Sequence, residues 1–306
     1  MARYFLAFGV VMISLVRPSQ PARAEETIQH PPKVAGQELS ANSYNQTEFI
    51  HMPASLLGPS GLIFTQSTDT LAPGRLELGI GINHQHSSIP NYVINEVSPT
   101  LTLGLPKKLE FSAHLPYLFD FGTRGSHEDA REDLDASLKW RFLDQNGERN
   151  LPSLGLSLTY FFPFASDNNP AGVHFGLINH WGFRALLLSS AEIDLLQPVA
   201  SYVVGVYLDG GTFVRDIGTT FGEKHGIVDA GVILPLTGSR QLQLILEGNF
   251  TFRDKVQFEG NYDGLTGALR FVTPHFNISA GVQHRFMLDA AVNDTDRLFI
   301  QGSYLF

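Results

Sequence analysis

The chain has 306 residues, 43% hydrophobic and 17% charged, with 29 glycines and 23 phenylalanines, a mixture that suits neither a disordered tail nor a helical bundle. Thirty acidic against 21 basic residues give a net charge of -9, which argues against a nucleic-acid partner. Cysteine is absent, which excludes thiolate metal sites, thiol nucleophiles and disulfides.

Residues 1–24 read as a cleaved signal peptide: Arg3 supplies the positive start, "YFLAFGVVMISLV" the apolar run, and "PARA" a small-x-small end at Ala22 and Ala24. A spanning helix needs about 20 apolar residues, and Arg17, Pro18 and Gln20 cut this run short. Cleavage before Glu25 removes Arg3, Arg17 and Arg23, leaving 18 basic against 30 acidic residues and a net of -12.

Residues 25–73 are polar and broken by prolines, and "SGLIFTQ" at 60–66 is their one strand-like stretch. The segment is too long for a simple tether and too polar to add strands to a lipid-facing wall, so two alternatives stay open. It folds back into or across the periplasmic mouth as a plug, docked through its apolar patch, or it is a mobile periplasmic tail.

From residue 74 to 306 the apolar period is two. "GRLELGIGINH" sets Leu76, Leu78, Ile80 and Ile82 opposite Arg75, Glu77 and Asn83. "KLEFSAHLPYLF" sets Leu109, Phe111, Ala113, Leu115 and Tyr117 opposite Glu110, Ser112 and His114. In "EDLDASLKWRF" Leu134, Ala136, Leu138, Trp140 and Phe142 oppose Asp133, Asp135, Ser137, Lys139 and Arg141, and in "RQLQLILEGNFTF" Leu242, Leu244, Leu246, Phe250 and Phe252 oppose Gln241, Gln243, Glu247, Asn249 and Thr251. Weaker alternation near 93–104, 152–162, 174–190, 198–208, 226–235, 264–272, 275–286 and 297–306 brings the count to about twelve strands. Each is long enough to cross a bilayer at a tilt. Without helical crossovers they form an all-β, transmembrane, antiparallel up-and-down barrel.

The links alternate between longer polar stretches (85–92, 119–131, 163–173, 209–225, 253–263 and 287–296) and mostly shorter turns, "LPKK", "DQNGER", "AEIDLLQ", "PLTGSR" and "VTP". An even strand number puts both ends of the barrel on one side, the periplasmic side of an outer-membrane barrel. Aromatics fall in two belts: Trp140, Phe142, Phe271, Tyr304 and Phe306 at the periplasmic end, and Tyr117, Phe119, Tyr160, Phe162, Phe250, Phe252 and Phe286 at the outer end. The terminal "FIQGSYLF" is then the closing strand, with Tyr304 and Phe306 in the periplasmic girdle. This end resembles the C-terminal signal read by the barrel assembly machinery, and the surrounding partner is outer-membrane lipid.

"LAPGRLELGIG", "PKKLEFSAHLPYLF" and "EDLDASLKWRF" together resemble the family of outer-membrane transporters named for the meta-pathway of phenol degradation. Asp133 matches the aspartate of that family's G-D-L-x-x-x-x-K-Y-R-like strand and Lys139 and Arg141 its basic pair, while Glu132 stands where the family has glycine. The resemblance covers about residues 70–165. It implies a barrel that passes small hydrophobic or aromatic compounds.

The inward face holds Glu77, Glu96, Glu110, His114, Asp133, Asp135, Lys139, Arg141, Glu247, Arg270, Gln283 and Arg285. These charges either line a channel and shape its field or fill a small barrel that conducts little, so a non-conducting structural or adhesive barrel stays open as the alternative. His84 and His86 form an H-x-H pair and "HED" stands at 127–129, but neither gains a third ligand at recognisable spacing. No G-x-S-x-G occurs. The expectation is therefore no enzyme, no cofactor and no metal.

Overall fold

The structure, a computed structural model, describes residues 52–88, 91–123, 128–146, 151–164, 181–195, 202–215, 223–253, 262–287 and 295–306. The expected signal peptide at 1–24 and residues 25–51 lie outside the described residues, as do His127 of the "HED" stretch and the side chain of Phe286.

The segments in chain order are β1 (Leu76–Ser88), β2 (Asn91–Leu105), β3 (Leu109–His114), β4 (Tyr117–Thr123), β5 (Glu128–Arg131), β6 (Leu134–Leu143), β7 (Ser153–Phe162), β8 (Gly182–Asp194), β9 (Val203–Arg215), β10 (Glu223–Pro235), β11 (Leu242–Arg253), β12 (Tyr262–Val272), β13 (Phe276–Met287) and β14 (Thr295–Leu305). All pair antiparallel in one sheet, and β1 pairs with both β2 and β14, so the sheet closes on itself. β3 and β4 lie end to end along β2, and β6 and β5 lie end to end along them. Each of these two pairs is one wall strand broken once, and the barrel has twelve.

The breaks sit side by side for a chemical reason. Pro116 has no N–H to give the ladder, and the break at Leu115–Pro116 faces that at Glu132–Asp133. Leu115 N still donates to Pro99 O at 3.2 Å, and Glu132 N to Pro116 O at 3.1 Å, so the wall stays continuous.

Burial follows the alternation with inverted polarity. Leu78, Ile80 and Ile82 are 43–51% exposed, whereas Glu77 and Asn83 on either side of them are 1% and 3% exposed. Leu138, Trp140 and Phe142 are likewise exposed beside buried Ser137 and Lys139. An apolar exterior around a charged interior is the arrangement that lipid demands of a barrel. Aromatics mark both ends of the apolar band: Trp140–Phe142 and Tyr304–Phe306 at the end where β1 starts and β14 stops, with ring centroids 5.6 and 4.8 Å apart, and Tyr160–Phe162 at the other, 4.6 Å apart.

Several strands run beyond the limits that alternation suggested. β1 continues to Ser88, β9 to Arg215, and β4 with β5 occupies much of the stretch 119–131 that read as a loop. β8 continues to Asp194 through most of "AEIDLLQ", which read as a turn. About nine to eleven residues suffice to cross a bilayer at a tilt. In β1 both faces are polar from His84 to Ser88 while the ladder goes on, so there the hydrophobic signal fades before the hydrogen bonding does.

Candidate functional site in the barrel lumen

Residues 52–68 lie inside the barrel. Ser60, Leu62, Ile63, Thr65, Gln66, Ser67 and Thr68 are fully buried, and inward side chains around the circumference bond their backbone. A looped chain without a sheet partner must satisfy its amides elsewhere. Some bond within the segment, as Leu56 N to Ile63 O and Ser67 N to Ser60 O, and the wall's side chains take others.

Glu247 on β11 accepts from three consecutive amides, Ile63 N, Phe64 N (2.9 Å) and Thr65 N (3.1 Å). Asp209 on β9 accepts from Gln66 N at 2.7 Å. Glu110 on β3 accepts from Ser60 N and from Leu71 N, both at 2.9 Å, and pairs with Lys139 of β6 at 3.0 Å. Lys139 Nζ also donates to Ser60 O at 3.0 Å. Arg270 on β12 donates to Gly61 O (3.2 Å) and Leu62 O (2.8 Å), and Glu77 on β1 accepts from Ala54 N at 3.2 Å. Such charge-assisted bonds are the stronger kind.

The apolar side chains of the segment have their own receptor. Leu62, Ile63 and Phe64 pack with Tyr207, Ile233, Ile245, Ala268 and Phe299, inward residues of five wall strands. Ile245 pairs in register with both Ile233 and Ala268. Gly231 completes the seat: a Cβ there would stand 2.4 Å from Leu62 Cδ2, and one at Gly81 would stand 2.4 Å from Leu56 Cδ2. The signal in the sequence was a defect in the pattern, since an apolar Ile245 interrupts the polar series Gln243–Glu247. Three such defects on neighbouring strands make a receptor that no single strand reveals.

The residues expected on the inward face divide by their place along the barrel, with Glu96 beside His114 and Gln283 donating to Asn249 Oδ1 at 3.2 Å. Glu77, Glu110, Lys139, Glu247 and Arg270 are brought together around residues 54–71. His114, Asp133 and Asp135 gather nearer the loop end of the barrel, where His114 Nδ1 lies 3.1 Å from Asp135 Oδ2 and Asp133 accepts from Phe164 N at 3.1 Å. Arg141 stands near the terminal end, 3.5 Å from Asp69 and 3.3 Å from Asp144, and Arg285 near the loop end in register with Thr295. Tyr304 and Phe306 point outward, 49% and 57% exposed. Among the described residues no group of three or more His, Asp or Glu is placed to hold a metal ion.

No family model and no curated protein matches the chain. Among solved structures it is similar to an outer membrane channel from Pseudomonas putida F1, at 13% identity and a TM-score of 0.53, covering 78% of this chain and 98% of that one. A TodX mutant described as a monoaromatic hydrocarbon channel aligns at 9% identity with a TM-score of 0.45, over 83% of this chain and 95% of that one. Neisserial surface protein A aligns at 10% identity with a TM-score of 0.23, over 75% and 95%. The Pseudomonas channel and this chain share a barrel fold.

Proposed function

We propose that the protein is an outer-membrane channel for small molecules, with residues 52–68 as its internal plug. The observation that carries this reading is the inverted barrel, apolar outside and charged inside, wrapped around a segment held by side chain-to-backbone bonds. Those bonds release the segment without opening any strand pair. The shared fold with an outer membrane channel supports the localisation, and the described channel for monoaromatic hydrocarbons agrees with small hydrophobic or aromatic solutes. Passage is the role assigned, not catalysis. The end carrying Leu76 and Phe306 faces the periplasm in this reading, residues 1–24 direct export, and Tyr304 with Phe306 presents the closing strand to the assembly machinery.

One observation favours the second reading, a barrel that does not conduct: the side chains of Leu62 and Ile63 are fully buried in the lumen, so the resting path is obstructed. Single-channel recording separates the two. A chain beginning near Leu71, folded and heat-modifiable on gels, is expected to conduct well above the full mature chain. Silence from that folded truncation would leave only the structural barrel.

A further inference from the structure

Around the wall, neighbouring strands are consecutive in the chain at every place but one, the pairing of β1 with β14. Joining the two ends of a chain costs entropy that grows with the length between them, so this seam carries the closure of the whole barrel. Its inward face is also thin in side chains. Gly79 and Gly81 of β1 stand there in register with Ser303 and Gln301 of β14, and a glycine inside a strand has nothing to pack and weakens it.

From inside the lumen, residues 54–64 hold both edges of this seam. Ala54 N donates to Glu77 of β1 at 3.2 Å, and Gln301 Nε2 of β14 donates back to Ala54 O. Leu56 takes the space left open at Gly81 and belongs to the same buried cluster as Phe299 of β14. Phe64 meets Phe299 edge to face with ring centroids 6.0 Å apart, and the Arg297 guanidinium, also on β14, lies 5.6 Å over the Phe64 ring. The same segment is anchored to β9, β11 and β12 through Asp209, Glu247 and Arg270, and only residues 69–75 separate it from β1. A piece of chain tethered to one edge of an open sheet and docked on strands near the other raises the effective concentration of each edge for its partner. It also selects the register: a slip of one residue would turn the inward set of β14 outward, and with it the bond from Gln301 to Ala54 O.

We infer that residues 54–64 are a template for barrel closure, docking on the lumen face of β9–β14 before the barrel shuts and delivering β1 to β14 in register. This role in assembly is separate from blocking the path. It sets how fast the barrel closes, not whether it stays closed, and it needs the segment in the lumen but not a conducting channel.

Folding of the full mature chain from urea into vesicles tests it, with the heat-modifiable form on gels as the measure of closure. Leu56→Ala changes the segment and leaves the wall's own sequence intact. It is expected to slow closure about tenfold and to leave the rate of opening nearly unchanged, the pattern of a contact already made in the transition state. An unchanged closing rate with faster opening would mean that the segment docks after closure, and overturns the template. Pulsed amide exchange during folding of the unmodified protein decides the same point even if the variant misfolds. The Phe64 amide, held by Glu247, should gain protection before the β1–β14 amides or together with them; protection of the seam first overturns the inference. A variant that closes as fast as the parent, in a protein that conducts once residues 52–68 are gone, would remove the template and leave the channel. Slowed closure of a barrel that never conducts would keep the template and remove the channel.

Discussion

The barrel wall and the segment inside it are both neatly hydrogen-bonded, but by different means. The wall satisfies its amides strand to strand, so its side chains need only suit lipid on one face and the lumen on the other. The segment pairs with no wall strand: some of its amides bond within it, as Leu56 N to Ile63 O and Gly61 N to Pro53 O, and others depend on individual carboxylates such as Glu247 and Glu110. A wall bond is one of a redundant ladder; a bond to the segment has no substitute. Substitutions in the two regions should therefore differ in kind: those in the wall change barrel stability, and those at the segment's contacts change where residues 52–68 sit.

The largest effect is expected at Glu247. Replacing it with Leu orphans the amides of Ile63, Phe64 and Thr65, at about 1–3 kcal/mol for each buried donor left unmade. The segment should leave the lumen while the barrel stays folded. The chain has no cysteine, so a single Phe64→Cys reporter can be read against a silent background. Maleimide should label it slowly in the parent and rapidly beside Glu247→Leu; equal rates would mean that Glu247 does not hold the segment.

Leu138→Lys tests the other region. Leu138 is 45% exposed on the outward face between buried Ser137 and Lys139, and a lysine facing the bilayer middle costs about 2–4 kcal/mol. Urea titration of folding into vesicles should record that loss, with Phe64→Cys labelling still slow in whatever folds. Lys139, one residue on, behaves differently from a plain channel-lining charge, because it is buried against Glu110 and Ser60 O. Lys139→Glu would set two carboxylates together there and should loosen the segment rather than merely change ion preference.

Gly231→Val sharpens the comparison at smaller scale. Its side chain would enter the space of Leu62 Cδ2, and overpacking of this sort costs about 1–3 kcal/mol. That loss should fall on the segment alone: faster labelling at position 64, unchanged urea midpoint for the barrel. A shifted midpoint with slow labelling would show that the wall, not the segment, absorbs the strain.

These contrasts also explain what could be read from the sequence. The wall was legible because a period of two is a local property: Leu138, Trp140 and Phe142 declare their face without knowledge of any other strand. The two wall breaks were harder, since a lone Pro116 reads as an edge or a turn until Glu132–Asp133 is found beside it. "SGLIFTQ" stood out as an apolar patch, but its receptor is spread over Tyr207, Ile233, Ile245 and Ala268, and no linear pattern joins residues that only closure of the barrel brings together. The same holds for Asn83 Oδ1 and His114 Nε2, which have no hydrogen-bond partner. Each lies on the expected inward face, yet that they lack partners is a fact of three dimensions.

The smallest effect is expected where wall and segment meet. The "PKK" turn between β2 and β3 holds Lys107 and Lys108 in left-handed backbone, at φ of 61° and 59°, and Lys108 pairs with Asp144 beyond β6. The hydrogen bond from Lys108, with the charges of Arg141 and Lys108 behind it, holds the Asp144 carboxyl below its ordinary value of 3.8 despite some burial. A carboxyl depressed in the folded state lends stability that is fully present above its unfolded value and is lost as pH falls through the folded one. The contribution should therefore be flat at neutral pH and fade only below about pH 4, given the ordinary range of aspartate. Because both partners are about half exposed, it should not exceed about 1 kcal/mol. Asp144→Asn removes it but frees Arg141 for Asp69, the residue that leads from the segment toward the wall. Barrel stability at pH 7 should thus fall slightly, while labelling at position 64 slows or stays as it was. Faster labelling in Asp144→Asn would mean that Asp144, rather than Asp69, anchors this end of the segment through Arg141.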